Sequence, residues 1–205
     1  MRPTTIKANA TKTALLDAAK KVLVSRGYSG LSTRAIADTA NTQMSQIRYH
    51  FGSKEGLVLA LYEYMTEQLI ERQSNVFADK TQPLSKKWDI ACDYLDADIE
   101  SGYVRVFQEL LAQGWSNPRI AKVVVTTLRQ WFGLHLTLAK EFQQTCGSFG
   151  PFEAEDIALL ISPAFVGVES FILLGWDEDS APIRRALRRF GNVIQHFETI
   201  EKGEN

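Results

Sequence analysis

The sequence predicts an all-α chain, with a small N-terminal helix-turn-helix domain ahead of a larger helical domain. Three observations carry that expectation. Apolar residues recur at three- and four-residue spacing through every long segment. No run of useful length alternates apolar and polar residues as a half-buried strand does. Helix caps and stops punctuate the chain, and its 205 residues suit a small domain followed by a larger one.

The elements follow in order. Residues 1–10 read as a disordered basic arm carrying Arg2 and Lys7. From about Thr11 to Arg26, Leu15, Leu16, Ala19, Val22 and Leu23 fall at helical spacing, and Gly27 stops the helix. Ser32 is a cap for a short helix with Ile36, Ala37 and Ala40 inward. Asn41 falls at the turn, where a residue tolerant of positive φ is needed. Thr42 is the expected cap of a second short helix, with Ile47 inward and Met44, Ser45, Gln46 and Arg48 outward. Tyr49-His50-Phe51 ends it, and Ser53 caps the next helix ahead of Glu55. An exposed polar helix held across another in this way is built to enter a major groove.

That fourth helix runs past Leu57, Leu61, Met65 and Leu69 to about Phe77, and Asp79 to Pro83 breaks the chain. Helices are then expected over about Leu84 to Glu100, with Trp88, Cys92 and Leu95 inward, and over Tyr103 to Gln113. Asn117-Pro118 is a cap followed by proline at the first helical position, and a long helix follows through Phe142. The segment from Glu153 to Trp176 is apolar nearly all round and about as long as a membrane span. Glu169, Pro163 and Gly167 inside it argue against insertion, so burial against a second subunit is expected and no membrane contact. The last helix, near Ser180 to Ile200, carries a seam of Ile183, Leu187, Phe190, Ile194 and Phe197, with Arg184, Arg185, Arg188 and Arg189 read as a solvated face. Both apolar helices are expected to pair with those of a second copy in a homodimer.

Charge is distributed unevenly. Residues 1–56 hold nine Lys/Arg against three Asp/Glu, and the remainder fourteen against twenty-one, within a total of −1. The basic part suits phosphates and the acidic remainder does not. Cys92 and Cys146 stand apart with no paired-cysteine motif, so neither a disulfide framework nor a metal site is expected. The first residues lack the apolar core of a secretory signal, which reads as cytoplasmic.

Gly27-Tyr28, Ser32-Thr33-Arg34, Ile36-Ala37, Ala40, Ile47, Tyr49-His50-Phe51 and Ser53-Lys54-Glu55-Gly56-Leu57 stand in an order and spacing that resembles the TetR (tetracycline-repressor) family of transcription regulators. The likeness covers roughly residues 11–60, with 11–56 as the DNA-binding domain and 57–205 as the effector-binding and dimerisation domain. Asn41 stands where the family most often has Gly, and Arg48 where it usually has Tyr. The resemblance implies that Thr33, Tyr49, His50 and Lys54 contact the DNA backbone, that Arg34, Thr42, Met44, Ser45 and Gln46 read bases, and that Arg48 makes a contact of its own. The chemistry agrees, since Arg suits guanine, Gln suits adenine and a Met side chain packs on a thymine methyl.

In the larger domain, His135 and Glu169 each interrupt an apolar stripe, where a polar group needs a partner. Either each is satisfied inside the packed body, by the other, by a backbone carbonyl or by a partner across a subunit boundary, or they fix the orientation of a ligand. In the second case Trp131, Phe132, Phe165 and Phe171 form the walls, completed by Trp88, Phe107 and Trp115, and the occupant is a small hydrophobic effector. The expected function is that of a homodimeric repressor released from a palindromic DNA operator by that effector. The alternative is a DNA-binding regulator or architectural protein with no effector. No catalytic residue or cofactor is expected, because the sequence holds no phosphate loop, nucleophile elbow or ligand cluster.

Overall fold

The computed structural model describes the backbone of residues 3–176 and 181–203 and the side chains of residues 10–176 and 182–200. Helices account for the described regular structure: α1 (Pro3–Arg26), α2 (Thr33–Thr39), α3 (Met44–Phe51), α4 (Lys54–Ala78), α5 (Leu84–Glu100), α6 (Tyr103–Gly114), α7 (Pro118–Cys146), α8 (Ala154–Leu174) and α9 (Ala181–Gly203). No strand occurs among the described residues, and one isolated bridge joins Phe149 to Phe152.

Two boundaries differ from expectation. Residues 3–10, expected as a disordered arm, belong to α1. Pro3 suits a first helical position because it has no N–H to leave unpaired, and no breaker follows before Gly27. Arg2 and the side chain of Lys7 lie outside the described residues, as does Ser180, the expected start of the last helix. The second difference lies at the turn. Asn41 has φ 50°, and the turn closes with Thr42 N–H donating to Ala37 O at 2.9 Å and Asn41 N–H donating to Asp38 O at 3.2 Å. This is a Schellman motif, and it uses the Thr42 backbone to finish α2. The cap of α3 therefore falls to Gln43, which makes no side-chain cap bond, rather than to Thr42.

The chain divides into two compact units, Met1–Gln68 with Glu100–Val123, and Leu69–Ile99 with Val124–Asn205. The first is larger than the expected 11–56 domain because α6 packs into it. Tyr62 of α4, fully buried, stacks on Tyr103 and Phe107 of α6 at centroid distances of 5.4 and 6.3 Å, and Thr66 Oγ1 lies 3.2 Å from Tyr103 Oη. Gly56 marks a tight point in this unit: a Cβ there would stand 2.1 Å from the Phe51 carbonyl oxygen, so only glycine lets α4 start so close behind α3.

The second unit is held by polar ties as well as by Trp88, Cys92, Leu95 and Val124 in its core. Lys87 of α5 is wholly buried, with Nζ 2.7 and 2.9 Å from the Glu141 carboxylate of α7 and 3.1 Å from the Phe77 carbonyl near the end of α4. Lys80 Nζ donates to the same carboxylate at 2.8 Å. Burial works against charge on Glu141, but the two lysines outweigh it and hold its carboxyl below the ordinary range. At the start of α5, Glu198 of α9 accepts from Leu84 N–H at 2.6 Å and from Ser85 Oγ at 2.5 Å, a carboxylate at the positive end of a helix. Of the arginines read as a solvated face, Arg184 and Arg188 instead pair with Asp96 and Asp93 of α5 at 2.6 and 2.7 Å.

Candidate nucleic-acid interface and ligand cavity

The helix-turn-helix is assembled by short-range devices. Ser32 Oγ accepts from Ala35 N–H at 3.1 Å to start α2, and Ser53 Oγ accepts from Gly56 N–H at 3.0 Å to start α4. Leu15, Leu16, Leu31, Ile36, Ala37 and Ile47 are buried and fix α2 and α3 against α1. With Ile47 inward, the opposite side of α3 has to face solvent. Arg34, Met44, Ser45, Arg48, Tyr49 and Lys54 are exposed, and Thr33, Thr42, Gln46 and His50 are half-buried. All ten expected DNA contacts are thus reachable. Tyr49, at 77% exposure, has no packing reason for being aromatic at that position.

Two of these side chains are loosely committed. Arg34 lies 4.0 Å from Asp38 in an exposed i,i+4 pair of little energetic weight, which leaves the guanidinium free to turn to an anion. Lys54 Nζ lies 5.9 Å from the Tyr28 ring centroid, and Tyr28 Oη accepts from Gln113 Nε2 at 3.1 Å. His50 packs edge-on against Tyr49 at 4.9 Å. No group of three or more metal-binding side chains occurs among the described residues.

The second unit contains a cavity of about 440 Å³. Its walls come from α5 (Leu84, Trp88), α7 (Leu138, Ala139, Phe142), the loop at Phe149, α8 (Ile157, Ile161) and α9 (Phe190, Ile194), with His135 as the one titratable lining residue among the described residues. His135 Nδ1 lies 2.8 Å from Ser162 Oγ, and Ser162 Oγ donates to the Ala158 carbonyl at 2.8 Å. Burial pulls the imidazole down to about 4, so the ring is neutral at physiological pH.

The nine residues expected to form a ligand site are not brought together. Trp88 and His135 line the cavity. Phe165 stands behind them, stacked on His135 at 5.4 Å and tilted against Trp88 at 5.7 Å. Trp131, Phe132 and Glu169 are half-buried outside the lining, and Phe171 is exposed beside Trp176. Phe107 is core in the first unit, committed to Tyr62, and Trp115 caps α6 there at 84% exposure. Of the alternatives for His135, pairing with Glu169 is not the one seen: Ser162, one turn from Ala158 on α8, meets the imidazole. Phe142, Phe149, Ile157, Ile161 and Ile194 were missed. Phe142 and Ile194 carried a signal, since both sit in apolar stripes read as packing; Phe149 sits in a loop and carried none.

The tetR family of bacterial regulatory proteins matches this chain over residues 15–61, the span from α1 into α4 that holds the helix-turn-helix. Residues 15–61 thus resemble the helix-turn-helix segment of the TetR family. Curated relatives extend the likeness: it is 25% identical over 124 residues to the HTH-type transcriptional regulator UidR of Escherichia coli K12, covering 58% of this chain and 59% of that protein. It is 43% identical over 51 residues to the uncharacterized HTH-type regulator YvkB of Bacillus subtilis, covering 25% and 27% of the two chains. The match thus spans under two thirds of these relatives. The fold continues the likeness where the sequence does not. The transcriptional regulator FadR of Bacillus subtilis, solved in complex with stearoyl-CoA, superposes with a TM-score of 0.69 over 87% of this chain and 96% of its own, at 17% identity.

Proposed function

We propose that this chain is a homodimeric TetR-type transcriptional repressor that leaves a palindromic operator when a small hydrophobic effector enters its second unit. The observation that carries the reading is the outward face of α3. Met44, Ser45, Arg48 and Tyr49 are exposed on a helix whose other side is locked by Ile47, in the basic part of the chain. Polar, cationic and aromatic side chains so held match the donors and apolar surfaces that base edges and phosphates require. The cavity favours the effector-responsive reading over a purely architectural one, since a solid core would offer nothing to bind. Stearoyl-CoA, solved with FadR, is apolar in its acyl chain and polyanionic in its CoA part, so its chain alone is in keeping with an apolar occupant. Operator binding places the protein in the cytoplasm.

Self-association is supported by α8 and α9. α8 is long and apolar enough to cross a membrane by length and composition, yet only Ala154, Ala158 and Ile172 are buried in a single chain. Leu159, Leu160 and Leu174 stand exposed, Leu174 at 82%. Ion pairs between α5 and α9 in the same unit suit a water-facing body whose apolar helix is covered by a second copy. The test is selection from random DNA duplexes with the full chain. Enrichment of an inverted repeat is expected, and recovery of no sequence preference overturns the reading.

A further inference from the structure

We infer that the cavity selects an uncharged, largely aromatic or aliphatic molecule that donates one hydrogen bond, such as a phenol or alcohol, to Nε2 of His135. The inference rests on the reading of this cavity as the effector site and names the chemistry that the site takes. Its starting point is a proton count. Ser162 has a single hydroxyl proton and gives it to the Ala158 carbonyl, so its oxygen faces His135 as an acceptor. The ring proton of the neutral imidazole must then sit on Nδ1, which leaves Nε2 a bare lone pair. Nε2 has no hydrogen-bond partner among the described residues. Ser148, the other polar side chain of the lining, has already given its proton to the Gly150 carbonyl at 3.1 Å.

Charge of either sign is excluded by what the walls lack. Among the described residues no Lys, Arg, Asp or Glu lines the cavity, so a buried carboxylate or ammonium would meet no counter-charge from them. The nearest buried ions, Lys87 and Glu141, are committed to each other. Phe142 and Phe149 turn one face each to the other, which withdraws those two faces from an aromatic cage for a quaternary ammonium. Phe142 stacks on Phe149 at 4.5 Å and meets Phe197 edge-on at 5.6 Å, while Trp88 leans on Phe190 at 5.0 Å. The volume is that of a site for a drug-sized molecule, within the usual range of about 300–1,000 Å³.

Four probes with one shared tail test this on the full chain by calorimetric titration: 4-hexylphenol, its methyl ether 4-hexylanisole, 4-hexylbenzoate and (4-hexylphenyl)trimethylammonium. The phenol should bind about tenfold more tightly than the ether, the yield of one net hydrogen bond. His135→Leu should close that gap and His135→Gln, which keeps an acceptor, should preserve part of it. Should the benzoate or the ammonium bind as tightly as the phenol, the ligand class is wrong while the site stands. Should no probe bind, or should the cavity-filling variants Leu138→Trp and Ile157→Trp bind the phenol as the wild type does, the site itself is wrong.

Discussion

Gln46 and Lys54 sit a few residues apart yet are expected to fail differently when shortened. Lys54 stands exposed at the first residue of α4, and the proposed DNA binding would have its cation meet phosphate and read no base. Lys54→Ala should weaken binding about evenly across sequences and reduce its salt slope by about one, measured by titrating a labelled duplex at several salt concentrations. Gln46→Ala should instead relax preference at one base pair, by about 1–3 kcal/mol in a competition between single-substituted operators. His135 gives a prediction of another kind. Unfolded, it takes a proton near its ordinary value of 6.5; folded, burial delays that to about 4. Its contribution to stability is therefore full above about pH 6.5, declines as pH falls towards 4, and is then lost. Denaturant melts of wild type and His135→Gln should diverge in slope between those limits and run parallel above them. At this scale the sequence exposes which residues are chemically apt, such as the caps Ser32 and Ser53. It does not expose the partner of His135, because Ser162 lies 27 residues away on another helix.

Helices were legible almost to the residue where a local signal bounds them, as at Gly27 and Asn117-Pro118. The errors arise where tertiary packing decides. On α5 the inward stripe runs Leu84, Lys87, Trp88, Cys92, Leu95 and Asp98, and nothing local says that a lysine and an aspartate belong to it. Lys87 is tolerated there by Glu141 and the Phe77 carbonyl, and Asp98 by Arg72 at 2.7 Å. α9 shows the same effect. Ile183, Leu187 and Ile194, expected in an intersubunit seam, are half-buried in their own unit, where the Leu187 carbonyl accepts from Trp88 Nε1 at 2.7 Å. The exposed stripe is instead Pro182, Ala186, Phe190, Val193, Phe197 and Ile200. The buried pair yields a test by double-mutant cycle. Lys87→Met leaves Glu141 with Lys80 as its remaining cation and should cost about 3 kcal/mol in urea unfolding, the low end for a broken buried pair, whereas Lys87→Met with Glu141→Leu should cost less. Simple additivity of the two single changes would show that the pair is not coupled.

For the whole molecule, the corrected stripe changes which substitution separates assembly from folding. A glutamate at Leu187 would enter the packing against Trp88, so it should lower the melting temperature before it affects any subunit contact. Leu160 on α8 and Val193 on α9 are exposed in the single chain, and a carboxylate there stays in water unless a second copy covers it. Leu160→Glu and Val193→Glu should therefore leave the helical content and melting of the isolated chain near wild type while shifting light scattering from dimer to monomer. DNA affinity should fall with the dimer, because each head alone holds one half-site and two linked heads address both, spaced by about one helical turn or a multiple of it. The outcome that separates this account from a monomeric DNA binder is the ratio of effects. Under the dimer account, both variants lose the inverted repeat but keep weak binding to a half-site, with the salt dependence of a single head. Should they bind the full operator as the wild type does, α8 and α9 are not the surface that joins the copies.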